Sequence, residues 1–115
     1  MTIRILHNPR CSKSRTTLAL LQEQGLEPEI TLYLDTPPSA GELGTILQQL
    51  GMTARQLMRK GEAEYREQGL ADESLSEEQL IAAMVATPRL IERPIVLHNG
   101  KAAIGRPPES VLEIL

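Results

Sequence analysis

Near the start of the chain, two short stretches alternate apolar and polar residues, and a longer stretch between them has helical spacing. Thr2–His7 and Glu29–Leu34 show the period-two alternation of β-strands. From Ser12 onward the leucines recur with a helical period, and Gly25 is a typical C-terminal stop. This order predicts a strand, a helix and a second, parallel strand joined as a crossover unit.

Helix signals dominate the middle of the chain. Pro37-Pro38 breaks the strand pattern, and serine or threonine caps followed three residues later by glutamate or glutamine mark helix starts. The predicted helices run from the cap Ser39 to Gly51, from Thr53 through Met58 and Arg59 to Gly61, over Glu62–Gln68, and from Ser76 to Thr87.

The last third of the chain returns to strands. Ile95–His98 and Lys101–Ile104 flank Asn99-Gly100, which is a strong hairpin signal. Pro107-Pro108 then precedes a final helix. The order is therefore β-α-β, a helical insert at about residues 37–90, then β-β-α, which is the order of the thioredoxin-like fold. We expect one α/β domain over residues 1–115 with a mixed four-stranded sheet.

The composition fits a compact domain with an aliphatic core. The chain has 115 residues, no Phe or Trp, and only Tyr33 and Tyr65 as aromatics. An unpaired cysteine suits a reducing compartment, the start Met1–Arg4 lacks a secretory pattern, and no apolar run approaches the ~20 residues of a membrane span. These features predict a cytoplasmic protein without a membrane partner.

The charge distribution is more informative than the net charge of −3, which argues against nucleic-acid binding. Residues 1–15 carry four basic side chains and no acid. Residues 62–78 carry seven acids against Arg66 alone, a run that we expect to be a solvated helical surface.

Cys11 is the only cysteine, and it lies between the first strand and the first helix. A helix N-terminus and nearby cations (Arg10, Lys13 and Arg15) lower the pKa of a thiol and favour the reactive thiolate. The alternative is a small buried cysteine at a loop–helix junction. With no second cysteine, a redox-active Cys11 needs a thiol from another molecule.

The two histidines do not indicate a metal site. His7 and His98 lie on separate strands, without ligand spacing to Cys11. We therefore expect no metal and no bound cofactor. His7 could orient the thiol from the strand end, although an ordinary strand-end histidine explains it equally well.

Three arginines stand beside glycine or proline: Arg59, Arg93 and Arg106. Thioredoxin-like domains place a cis-proline where Pro94 occurs, facing the active-site thiol, which would make Arg93 a neighbour of the Cys11 loop. Because the guanidinium fork matches two oxygens at once, three converging arginines would bind a tetrahedral anion. Taken singly, an arginine of this kind is more often a surface salt-bridge partner than an anion ligand.

Over nearly its whole length the chain resembles the glutaredoxin-coupled arsenate reductases. The matching motifs are His7-Asn8-Pro9-x-Cys11-x-x-Ser14-Arg15, Arg55-Gln56-Leu57-Met58-Arg59-Lys60, Gln79-Leu80-Ile81, Ile91-x-Arg93-Pro94-Ile95-Val96 and Gly105-Arg106-Pro107. The resemblance implies that Cys11 is the nucleophile and that Arg59, Arg93 and Arg106 hold the arsenic oxyanion. We expect His7, Ser14, Arg15 and Pro94 to have supporting roles.

The family's chemistry implies that a Cys11–arsenic adduct forms, that glutathione attacks it, and that glutaredoxin resolves the mixed disulfide. The chain departs from well-known members at Ser12-Lys13, where they carry Gly-Thr. Two alternatives stay open. One is a redox-responsive regulator of the same fold that binds RNA polymerase, although such sensors typically use Cys-x-x-Cys and the fourth position here is Ser14. The other is a thiol reductase with a different oxyanion substrate.

Overall fold

The computed structural model of the chain describes residues 3–115, so Thr2 of the first predicted strand lies outside the described residues. The strands are β1 (Ile3–His7), β2 (Glu29–Leu32), β3 (Ile95–His98) and β4 (Lys101–Ile104). The helices are α1 (Ser12–Glu23), α2 (Ala40–Leu50), α3 (Ala54–Leu57), α4 (Ala63–Glu67) and α5 (Glu77–Ala86), with 3₁₀ segments at Pro88–Leu90 and Pro108–Ile114.

The chain forms two compact units. The cysteine unit comprises the described residues up to Thr36 together with Arg93–Leu115, and the helical unit comprises Pro37–Glu92. The single domain expected over residues 1–115 stays a prediction.

The cysteine unit contains a mixed four-stranded sheet in the order β2-β1-β3-β4. β1 pairs with β2 in parallel and with β3 antiparallel, and β3 pairs antiparallel with β4. The predicted α/β class and mixed sheet are therefore confirmed. Asn99 and Gly100 have φ angles of 57° and 78°, the left-handed conformation that a tight two-residue hairpin requires.

The core of the cysteine unit is aliphatic. Ile3, Ile5 and Val96 of the sheet pack with Leu21 of α1 and with Val111. Val111 belongs to the closing Pro108–Ile114 segment, which is a 3₁₀ helix rather than an ordinary α-helix. This packing fixes α1 against the sheet and thereby fixes the position of its first turn.

The second strand is shorter than the alternation predicts. We expected it to reach Leu34, but it ends at Leu32, because the Leu32 carbonyl accepts hydrogen bonds from the backbone N–H groups of Asp35 and Thr36. The chain turns at this point and buries Tyr33. The alternating apolar residues of this segment, Ile30, Leu32 and Leu34, are exposed.

The helical unit confirms the three predicted caps. The side chains of Ser39, Thr53 and Ser76 each accept a hydrogen bond from the backbone N–H three residues later. The helix from Thr53 was expected to include Met58 and Arg59, but α3 ends at Leu57. Met58 has an extended backbone and forms a β-bridge with Ile91, so neither Met58 nor Arg59 belongs to the helix.

Among the described residues, no helix has the length and apolar character needed to cross a membrane.

Candidate active site

Cys11 is the N-cap residue of α1, at the point where the chain leaves β1 and enters the helix. Its backbone N–H donates to the Asn8 carbonyl at 3.0 Å, and its own carbonyl accepts the N–H of Arg15 at 3.0 Å. Cys11 is partly exposed.

The surroundings of the Cys11 sulfur stabilise its anionic form. Burial alone raises the pKa of the thiol, but the backbone N–H of Ser14, the hydrogen bond and charge of the Arg93 guanidinium, and the backbone N–H of Lys13 outweigh it. The net result is a pKa below the ordinary thiol value. The first turn of α1 therefore acts as an anion site whose occupant is the thiolate.

The loops that contain Arg93 and Arg106 meet at this sulfur. Arg106 Nη2 lies 3.6 Å from Cys11 Sγ, and Arg106 Nε donates to the Arg93 carbonyl at 2.8 Å. Pro94 is buried and follows a cis peptide bond, as the fold comparison predicts, and its carbonyl accepts the N–H of Gly105 at 3.0 Å. The structure thus brings together Cys11, Arg93, Pro94 and Arg106.

His7 and Ser14 form a buried polar pair beside the thiol. His7 Nδ1 and Ser14 Oγ share a hydrogen bond of 2.6 Å, and Ser14 Oγ also accepts the backbone N–H of Asn8 at 3.0 Å. Burial lowers the pKa of His7, and the charge of Arg15 lowers it further. His7 is therefore neutral near pH 7 and acts here as a hydrogen-bonding partner rather than as a cation.

Arg15 holds the loop instead of contacting the sulfur. Its Nη1 donates to the Pro9 carbonyl at 2.9 Å, which ties the first turn of α1 to the segment before Cys11.

Within residues 3–115, no three His, Cys, Asp or Glu side chains cluster closely enough to hold a metal ion.

Comparison with known protein families gives a match over most of the chain. The profile of the ArsC family matches residues 6–114 of the chain. The chain belongs to the ArsC family.

Relatives in the ArsC family match almost end to end. The chain is 63% identical over 114 residues to the uncharacterized protein YfgD of Escherichia coli K12, covering 98% of this chain and 96% of that protein. It is 50% identical to a protein named arsenate reductase in Neisseria meningitidis serogroup A, covering 98% and 97%. The solved structure of a protein named arsenate reductase from Vibrio cholerae is 55% identical, covers 100% of this chain and 98% of that one, and superimposes with a TM-score of 0.97.

Arg59 has different surroundings, in the helical unit. Its Nη1 donates to Glu92 Oε1 at 2.7 Å and its Nε to Glu62 Oε1 at 3.2 Å. Glu62 and Glu64 also pair with Arg89, so part of the acidic run serves in ion pairs rather than as a simple solvated face. A role for Arg59 in holding the same anion as Cys11 stays a prediction of the family resemblance.

Sequence reasoning missed two residues that position the site, Asn8 and Gly105. Asn8 accepts the N–H of Cys11 and, through its side chain, the N–H of Arg10, so it shapes the loop. Gly105 packs so closely that an added Cβ would lie 2.8 Å from Pro94 Cγ and would also clash with buried Thr17. The Gly-Arg-Pro motif was noted, but only the arginine was assigned; a glycine flanked by such residues is itself a signal of close backbone approach.

Proposed function

We propose that this ArsC-family chain is an oxidoreductase that reduces arsenate to arsenite through a Cys11–arsenic adduct, with glutathione and glutaredoxin resolving the adduct. The observation that carries the proposal is the Cys11 sulfur at the N-terminus of α1, with Arg93 and Arg106 donating to it. The names of the relatives in Neisseria and Vibrio support arsenate as the oxyanion.

In the first step, the Cys11 thiolate attacks the arsenic of arsenate. A sulfur–arsenic bond forms, one arsenic oxygen is protonated and leaves as water, and arsenic stays pentavalent. The guanidinium groups of Arg93 and Arg106 stabilise the negative charge on the remaining oxygens, because their planar forks bind two oxygens at once. The family resemblance assigns the same oxyanion to Arg59, and that role rests on the resemblance.

In the second step, the glutathione sulfur attacks Cys11 Sγ. The disulfide forms while the sulfur–arsenic bond breaks, and its electron pair stays on arsenic, which leaves as trivalent arsenite. The thiolate of glutaredoxin then attacks the glutathione sulfur of the mixed disulfide and releases the Cys11 thiolate. Because Cys11 is the only cysteine of the chain, the second thiol must come from outside it.

His7, Ser14, Arg15 and Pro94 act on Cys11 indirectly in this proposal. The His7–Ser14 pair fixes the first turn of α1, and the Ser14 N–H stabilises the thiolate. Arg15 fixes the loop through Pro9, and Pro94 links the loops of Arg93 and Arg106. These are positioning roles, since none of these side chains needs to contact arsenate.

The test is steady-state, arsenate-dependent oxidation of NADPH, with glutathione, glutathione reductase and glutaredoxin supplied together or one at a time. We expect turnover only with glutathione and glutaredoxin together, and no turnover in Cys11→Ser, because an unactivated hydroxyl is a weak nucleophile near pH 7. Equal rates with thioredoxin and thioredoxin reductase in place of glutathione, glutathione reductase and glutaredoxin would contradict the resolving step. No arsenate-dependent oxidation under any condition would contradict the activity itself and favour the regulator.

A further inference from the structure

A groove of about 310 Å³ lies beside the loop that precedes Cys11. His7–Arg10 lines it on the loop side, and Leu32, Leu34 and Asp35 line it from the end of β2. Arg10 directly precedes Cys11 in the chain, so the loop that leads to the candidate nucleophile forms one wall of the groove. Its volume falls within the range of small-molecule sites, about 300–1,000 Å³.

The β2 side of this groove is apolar and exposed. Leu32 and Leu34, which line the groove, are 42% and 38% exposed, and β2 is an edge strand of the sheet. Edge strands are usually protected by charges, and exposed aliphatic side chains beside a cavity are typical of binding surfaces.

The charged residues of the groove are one cation and one anion. Arg10 comes from the loop and Asp35 from the segment after β2, and both are exposed. Such a pair suits a short peptide that carries both carboxylates and an ammonium group. A simple oxyanion would have no use for Asp35.

We propose that this groove binds glutathione, with a carboxylate of the tripeptide on Arg10, its ammonium group on Asp35 and its aliphatic portions against Leu32 and Leu34. This inference rests on the proposed function, because that mechanism requires an external thiol to reach Cys11. The groove provides the missing recognition: it holds the peptide next to the sulfur that the glutathione thiol must attack.

The test follows thiol–disulfide exchange at Cys11 and does not need arsenate. The Cys11 thiolate attacks one sulfur of glutathione disulfide, forms the mixed disulfide and releases one glutathione thiolate. Mass spectrometry measures the rate at which Cys11 forms a mixed disulfide with glutathione disulfide and, separately, with bis(2-hydroxyethyl) disulfide, which has no charged groups. In the ratio of the first rate to the second, any change in the reactivity of the thiol itself cancels.

We expect Arg10→Gln and Asp35→Asn each to lower this ratio by about fivefold, the effect of one charge-assisted hydrogen bond at an exposed site. Leu32→Ser should lower it by a similar factor. The controls lie outside the groove. Lys13→Gln removes the side-chain charge of a cation two residues after Cys11 and keeps the backbone N–H of that position, and Ile30→Ser removes a similarly exposed aliphatic side chain of the same strand.

The controls decide between recognition and general effects. A ratio lowered in the groove variants and retained in Lys13→Gln and Ile30→Ser supports the proposal. Unchanged ratios in the groove variants, or equal losses in the controls, would overturn it. A chain that fails to reduce arsenate but keeps this pattern would contradict the proposed function and leave the glutathione groove standing.

Discussion

Arginine has opposite surroundings in the two units of this chain. In the cysteine unit, Arg106 donates to a sulfur and to a backbone carbonyl. In the helical unit, Arg59 donates to two carboxylates, those of Glu62 and Glu92. The guanidinium is the same, but its charge meets a thiol in one unit and is compensated by acids in the other.

The comparison separates two uses of a positive charge. A carboxylate partner fixes an arginine in place and offsets its charge, which lowers its attraction for a further anion. A carbonyl partner orients the fork without offsetting the charge, as the Arg93 carbonyl does for Arg106. The cysteine unit is therefore better suited to stabilise an anion, whether a thiolate or an oxyanion bound to it.

The largest expected effect comes from removing the cations at the sulfur. Arg93→Ala and Arg106→Ala should each lower the rate of arsenate reduction by about 10²–10³, the usual loss for one donor to a developing charge. Arg59→Ala should also lower the rate, but by less, since Arg59 is already partly neutralised by acids. Lysine variants should recover only part of the activity, because an ammonium lacks the fork.

Steady-state kinetics measure the rate of arsenate reduction in each variant, and circular dichroism checks that each variant folds. If Arg59→Ala lost more activity than Arg93→Ala or Arg106→Ala, the proposed difference between the arginines of the two units would be wrong. Near-normal activity in all three variants would remove the arginines from the mechanism.

A second test compares one glycine from each unit. Gly105→Ala should destabilise the chain by about 1–3 kcal/mol, because its Cβ would press on Pro94 and Thr17 and displace the neighbouring Arg106. The matched control is Gly44→Ala inside α2, where an added Cβ meets nothing within 4 Å. That variant should gain about 0.5–1 kcal/mol from helix propensity.

Chemical denaturation measures both changes. An unaltered stability in Gly105→Ala would show that the loop of Arg106 is less constrained than its contacts indicate.

The smallest effect concerns the buried pair of the cysteine unit. The pKa of His7 is lowered by folding, so the unfolded chain binds more protons below about pH 6.5 and stability falls as the pH falls through that range. In His7→Gln, the free energy of unfolding should fall less between pH 7 and pH 5 than it does in the wild type. Unfolding curves between pH 7 and 5 measure it, and an identical pH dependence in the variant would contradict the neutral, buried state of His7.

The sequence predicted local features well where the signals are local. The caps at Ser39, Thr53 and Ser76 and the turn at Asn99-Gly100 each depend on a few neighbouring residues, and all four are confirmed. The order of strands and helices along the chain followed from the alternation of their patterns.

Features that depend on distant partners were missed or misplaced. Met58 leaves its predicted helix because Ile91, more than thirty residues away, offers a β-bridge. The close approach of Gly105 to Thr17 and Pro94 likewise joins segments far apart in the chain. The carboxylates on Arg59 could not be assigned from spacing alone, because Glu92 approaches it only in the folded unit.

The central claim is that folding turns Cys11 into a stabilised thiolate, and the pH dependence of its alkylation tests this most directly. As the only cysteine, Cys11 is the sole source of the signal. We predict a midpoint below the ordinary thiol pKa of about 8.5, and a higher midpoint in Arg93→Ala, which loses a hydrogen bond and a charge at the sulfur. A wild-type midpoint at or above the ordinary value would contradict the account.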